Sequence, residues 1–161
     1  MIESEGEKTG TFVVTHAEAE SAVIRDVETA QIHTLASNPG LEVRDVLEAT
    51  VAPEPPLEVT WQVVDVVERR RVDLVDSDLE PTQHARDRAA ETPVGEFSRI
   101  ERAGSGEIHV FRIPPEDAEN AASDVLEDEE TVARAARLEA VRVEIRSDVD
   151  EGVLSVRYLP D

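Results

Sequence analysis

The residues best equipped for chemistry in this chain are arginines, and they are crowded. Arg69, Arg70 and Arg71 run consecutively, and Arg86, Arg88, Arg99 and Arg102 follow them. A guanidinium presents five N–H donors in a planar fork, so a group of them can grip phosphates or a partner's carboxylates through paired hydrogen bonds. The same fork suits acids of its own chain equally well. Between positions 69 and 102 the seven arginines stand among eight acids (Asp73, Asp76, Asp78, Glu80, Asp87, Glu91, Glu96 and Glu101), whereas the whole chain carries 37 acids against 16 bases. Two readings of this nearly neutral stretch compete: a surface that contacts a partner or phosphate, and intramolecular ion pairing. Pairing is the stronger, because single-strand binders stack bases on exposed aromatics, and the aromatics nearest the N-terminus, Phe12 and Trp61, are expected to face inward.

The remaining constellations are weaker. His16, His33, His84 and His109 are the only histidines, and none stands at His-x-x-x-His or His-Glu-x-x-His spacing, so no metal site is expected. His16 and His33 come close only if the first and third strands pair. Asp148-Val-Asp150-Glu-Gly152 faintly resembles a calcium loop, but its glycine is one position early and Leu159 stands where a bidentate Glu is required, so a hairpin turn is the better reading. Gly104-Ser-Gly106 precedes a strand instead of following one, which excludes both a phosphate-binding loop and a dinucleotide fingerprint. With no cysteine, disulfides, thiol nucleophiles and Cys-ligated metals are excluded, and carboxylate pairs cannot be singled out among 37 acids. No catalytic residue and no cofactor is expected.

The net charge of −21, with Lys8 the only lysine, sets the solvent this chain is suited to. Such a chain repels itself in dilute buffer, while at about 1 M salt the Debye length is about 3 Å and most of that repulsion is screened. The composition therefore points to a protein built for molar salt. The first ten residues, MIESEGEKTG, carry acid where a signal peptide carries base and an apolar run, and no apolar stretch is long enough to span a membrane, so a cytoplasmic location is expected.

These residues have to be positioned by a core poor in aromatics, built from Val, Leu, Ile and Ala. Strands are expected at Thr11–Thr15, Ala22–Val27, Gln31–Leu35, Val46–Ala52 and Glu58–Val67, separated by turns and by the Pro53, Pro55 and Pro56 break. In the last of these, Val59, Trp61 and Val63 share one face while Val64 and Val66 occupy the other, which predicts cover on both sides over part of the strand. Asp78 can cap a helix that has Pro81 in its first turn and runs to about Glu91. After a Gly-containing loop follow a strand at Glu107–Ile113, a helix opened by Pro114 and Pro115, a second helix from Asp128, a strand over Val141–Arg146 and a hairpin return through Leu154, Val156 and Tyr158. The expected fold is α+β: a disordered tail over 1–9, a small antiparallel β-barrel of the OB or SH3-like kind over 10–76, a linking helix and loop over 77–103, and a C-terminal β-α-α-β-β unit over 104–161.

The phrases TFVVTHAEAESAVIRDV, NPGLEVRDVLEATVAPEPPLEVTWQVV, GEIHVFRIPPE, DEETVARAARLEAVRVEIR and GVLSVRYLP, spread over nearly all of residues 10–160, resemble a haloarchaeal protein family that carries only a domain-of-unknown-function label. That resemblance implies a salt-accumulating host and supplies no activity, cofactor or site residue. The sequence thus leads to a non-enzymatic binding module for a protein or ribonucleoprotein partner, with Arg69–Arg102 near the contact. Direct RNA or single-stranded DNA binding by the barrel comes second, and an enzyme third.

Overall fold

A computed structural model describes residues 6–101 and 106–160. Residues 1–5, Arg102 and most of the expected 103–106 loop lie outside it. The described residues are α+β, with two mixed five-strand sheets and three α-helices, and the chain divides into two compact units: residues 1–72 with 132–137, and residues 73–131 with 138–161.

The first unit is a ring of five strands: β1 (Lys8–Ala17), β2 (Ala22–Asp26), β3 (Ile32–Leu35), β4 (Asp45–Pro53) and β5 (Trp61–Arg71). Their order is β1-β2-β3-β5-β4, closed by β1 against β4. The long β1 serves two neighbours, pairing Lys8–Val13 with β4 and Phe12–Ala17 with β2. All contacts are antiparallel except β3 with β5, which is parallel and reduced to the single pair Leu35 and Trp61. Alternate residues turn inward, as the strand period requires, and Phe12, Val14, Ile24, Leu35, Leu47 and Val51 are buried together. Trp61 packs on this cluster but is only half-buried, so the inward assignment holds fully for Phe12 and partly for Trp61. From the segment 132–137, Arg137 donates through Nη1 to the Val27 carbonyl at 2.8 Å.

The same core holds His33, fully buried, with Phe12 and Trp61 packed edge-on at centroid distances of 5.7 and 4.3 Å. β1 and β3 are not neighbours, so His16, which is exposed, is not brought to it through strand pairing. Neither ring nitrogen of His33 has a hydrogen-bond partner among the described residues. Burial first, and the nearby Lys8 charge second, push its pKa below the ordinary 6.5, against a smaller opposing pull from Asp26. A histidine with a depressed folded pKa contributes stability that is present above its unfolded value and is lost as pH falls below it. We expect wild-type stability to fall between pH 7 and pH 5 more steeply than that of His33→Leu, measured by denaturant unfolding. Parallel pH profiles for the two chains would show that the His33 proton plays no part.

The second unit carries the sheet β6-β9-β10-β8-β7, made of β6 (Asp73–Asp76), β7 (Phe97–Glu101), β8 (Glu107–Arg112), β9 (Arg142–Asp148) and β10 (Val153–Leu159). β6 and β9 are parallel and the rest antiparallel. Neither β6 nor β7 is anticipated by the sequence pattern, so the expected three-strand unit is really a five-strand sheet. The helix α1 (Gln83–Ala90) starts later than expected, because Thr82 is its cap: the Thr82 hydroxyl accepts the Ala85 N–H at 3.2 Å. Its Ala85 and Ala89 pack on Ile100, Val110 and Val153. The helices α2 (Ala118–Glu127) and α3 (Glu129–Arg137) are separated by Asp128, whose carboxylate accepts the Glu130 N–H at 2.9 Å. Among the described residues no helix is long and apolar enough to cross a membrane.

Candidate functional site

The strongest candidate surface is β5, and local structure explains how it arises. Against β4 it runs in register from Asp45 opposite Arg71 to Pro53 opposite Trp61, with two interruptions. Between Glu48 and Ala49 the pairing skips Val67, and between Thr50 and Val51 it skips Val64, so each valine is the extra residue of a bulge. A bulge re-aims the side chain it inserts. Here it leaves Val64 53% and Val67 73% exposed, and Val66, opposite the buried Ala49, is 42% exposed. The cover expected on both sides of this strand is therefore absent. The valine doublets Val63-Val64 and Val66-Val67 mark bulges, and a strict period of two cannot distinguish a bulge from two-sided burial.

Among the described residues the other edge of β5 is largely unpaired. β3 reaches it only at Trp61, where the Ala36 N–H also bonds the Trp61 carbonyl at 3.1 Å, so among the described residues no strand pairs with this edge from Gln62 to Arg71. An unpaired edge bearing exposed apolar side chains is a template for another strand.

At the C-terminal end of this edge stand Arg69, Arg70 and Arg71, each with an acid of the same chain. Arg69 Nη2 lies 2.7 Å from Asp45 Oδ2 and donates to the Gly40 carbonyl at 2.8 Å. Arg71 Nη1 is 3.0 Å from Glu42 Oε2 and 3.6 Å from Asp45 Oδ1. Arg70 Nη1 is 3.6 Å from Glu68 Oε2. Asp45 is buried and also accepts the Glu42 N–H at 2.9 Å, so one carboxylate gathers two arginines and the loop ahead of β4. This is the arrangement intramolecular pairing calls for. The Arg69 and Arg71 side chains are nonetheless 42% and 50% exposed, and neither uses all five donors on its own chain's acids.

In the second unit, Arg86 on α1 reaches Asp148 at the end of β9, Nη1 to Oδ2 at 2.6 Å, and Glu80 at 3.3 Å. The Arg86 hydrogen bond holds the Asp148 carboxyl below the usual carboxylate range and raises Arg86 above its own. A cleft of about 350 Å³ opens here, lined by Arg86, Arg112, Asp148 and Glu151 among others. Two bases face two acids and no nucleophile joins them. Arg88 is exposed and contacts the Arg99 carbonyl at 3.4 Å, and Arg99 lies 3.7 Å from Glu107. Beside Arg99 on β7, Phe97 is 52% exposed and stacks on His109 and Phe111 at 5.3 and 5.2 Å. Among the described residues no group of His, Asp or Glu side chains is placed to hold a metal.

The seven arginines therefore divide: Arg69, Arg70 and Arg71 belong to the first unit, Arg86, Arg88 and Arg99 to the second, and Arg102 lies outside the described residues. The sequence pattern points to the arginines but not to the bare valine edge beside them. No curated protein and no solved structure matches this chain. A family of unknown function, DUF5812, matches residues 8–147, and the chain belongs to that family.

Proposed function

We propose that this protein is a non-enzymatic binding module that captures a protein or ribonucleoprotein partner along the free edge of β5. The observation that carries the reading is the coincidence, on one strand, of an unpaired edge over Gln62–Arg71, exposed Val64, Val66 and Val67, and the arginines Arg69 to Arg71. Strand addition uses main-chain hydrogen bonds for affinity and alternate side chains for selection, and this edge offers both. The ring reads as a small barrel of the OB kind, a scaffold that frequently carries binding surfaces. Its support is the order β1-β2-β3-β5-β4 with a weak parallel closure of β3 on β5. The net charge of −21 supports a working medium of concentrated salt, and there apolar contact and directed hydrogen bonds outlast simple charge attraction.

The test is capture from lysate in molar KCl, with and without RNase, using the wild-type chain and Val64→Thr/Val67→Thr. That pair of changes keeps strand propensity and removes apolar surface. We expect wild-type capture to survive RNase and the variant to lose it while its melting temperature stays close to wild type, since exposed substitutions usually cost less than about 0.5 kcal/mol each. Undiminished capture by the variant would remove β5 from the contact.

A second reading, nucleic-acid binding, is favoured by two observations only. Trp61 is half-buried, with Lys8 Nζ 5.4 Å from the ring centroid, and Phe97 lies exposed beside Arg99. Capture that disappears with RNase and with Trp61→Ala or Phe97→Ala would favour it.

A further inference from the structure

The geometry points to a second copy of this chain as an occupant of the β5 edge, paired antiparallel to β5 across a two-fold axis. This deepens the reading of β5 as a docking strand and rests on it, and it makes the second copy a competitor of any other partner for that edge.

Three observations single out a second copy. The first is the charge order along the strand: Asp65 lies toward its N-terminal end and Arg69, Arg70 and Arg71 at its C-terminal end. A parallel neighbour of the same sequence sets bases against bases. An antiparallel one sets acid against base at both ends, and opposite charges across a strand pair stabilise while like charges destabilise. With Val67 on the two-fold axis, Asp65 of each copy faces Arg69 of the other. Arg69 keeps Nη2 on Asp45 and Gly40, and its 42% exposed side chain retains donors for a second carboxylate.

The second is what occupies the centre of that pairing. Val67 meets its own copy there, and the exposed Val66 and Val64 lie across from Glu68 and Arg70 of the other chain, so a two-fold pairing covers the same side chains on both copies. Isologous contacts require such self-complementarity.

The third is that β5 contains neither lysine nor proline, two of the residues that blunt solitary edges, and that its two bulges, which elsewhere turn an edge away, both insert exposed valine. The chain's own charge opposes association in dilute buffer, but a Debye length of about 3 Å at about 1 M salt leaves only the short-range contacts to decide.

The chain contains no cysteine, which allows a direct test of register. Antiparallel neighbours on a two-fold axis hold their Cα atoms about 4.5–5.5 Å apart, within disulfide reach. In molar KCl the 161-residue chain should sediment at twice 17.7 kDa. Val67→Cys should oxidise to a covalent dimer, Gln62→Cys should not, and Val67→Lys should sediment as one chain with unchanged circular dichroism. A one-chain mass throughout the micromolar range would overturn self-pairing, and so would a two-chain mass that Val67→Lys leaves intact. The two proposals fail separately. A monomeric wild type whose lysate capture is lost in Val64→Thr/Val67→Thr removes only the second copy. A dimer broken by Val67→Lys, with capture indifferent to the threonine changes, removes only the docking of other partners.

Discussion

Gly152→Ala should destabilise the second unit more than any other single-methyl change in it. Gly152 closes the turn between β9 and β10 with φ +69°, a backbone region that side chains rarely adopt. A Cβ built there would lie 2.0 Å from the Ile113 carbonyl oxygen, which belongs to the chain leaving β8 and is not the movable end of a side chain. The two segments are already tied, since the Ile113 N–H donates to the Gly152 carbonyl at 2.9 Å. Accommodating the methyl means separating them, and the same turn positions Asp148, the partner of Arg86. Positive-φ strain costs about 1–3 kcal/mol, and displacing packed backbone brings the expected loss to on the order of 3–5 kcal/mol. For a chain of this length, roughly 2–4 °C per kcal/mol translates that into a drop of about 10 °C. Gly95→Ala is the control: its φ is +89°, but nothing lies within 4 Å of the added carbon, so only the strain of about 1–2 kcal/mol applies. Equal drops in the two variants would mean that the approach of Ile113 is not limiting.

That contrast also shows what the sequence could and could not express. Asp148 to Gly152 reads as a hairpin turn from its composition, and the turn is there, but nothing in it announces that the Ile113 carbonyl occupies the space a side chain at Gly152 would need. β4 is legible because its alternation is clean, with Leu47, Ala49 and Val51 buried between the half-buried Glu48 and Thr50. β6 and β7 are not. Asp73-Leu-Val-Asp76 has an acid at each end, and Phe97-Ser-Arg-Ile-Glu101 buries only Ile100, so each exists because β9 or β8 offers an edge, a non-local cause. The arginines are legible as a cluster of type, whereas their partners are not. Asp45 opens β4 and Glu42 comes from the loop before it, and no spacing rule connects them to Arg69 and Arg71. For His33, isolation on a strand suggests a structural histidine, but that neither nitrogen finds a partner among the described residues follows from its burial inside the ring.

The melting temperature should climb steeply with KCl, and the charge census explains by what route. With 37 acids against 16 bases the folded chain confines a surplus of 21 negative charges, while unfolding lets them separate. The contacts that offset this are local. Asp45 with Arg69, and Asp148 with Arg86, are short and hydrogen-bonded with the acid partner buried or partly buried, so salt weakens them little. The repulsion is long-ranged and salt weakens it strongly. From about 0.01 M to about 1 M the Debye length falls from about 30 Å, near the size of a unit, to about 3 Å, shorter than most charge separations on its surface. The rise should therefore be largest in the first few tenths molar and shallower beyond. Salt also stabilises by being excluded from apolar surface, which sucrose reproduces without screening. A sucrose series that matched the KCl series would assign the effect to exclusion and leave the charge surplus without a role. A KCl rise well above it, diminished when several exposed acids such as Glu28, Glu119 and Glu129 are changed to Gln, would place the dependence in the repulsion itself.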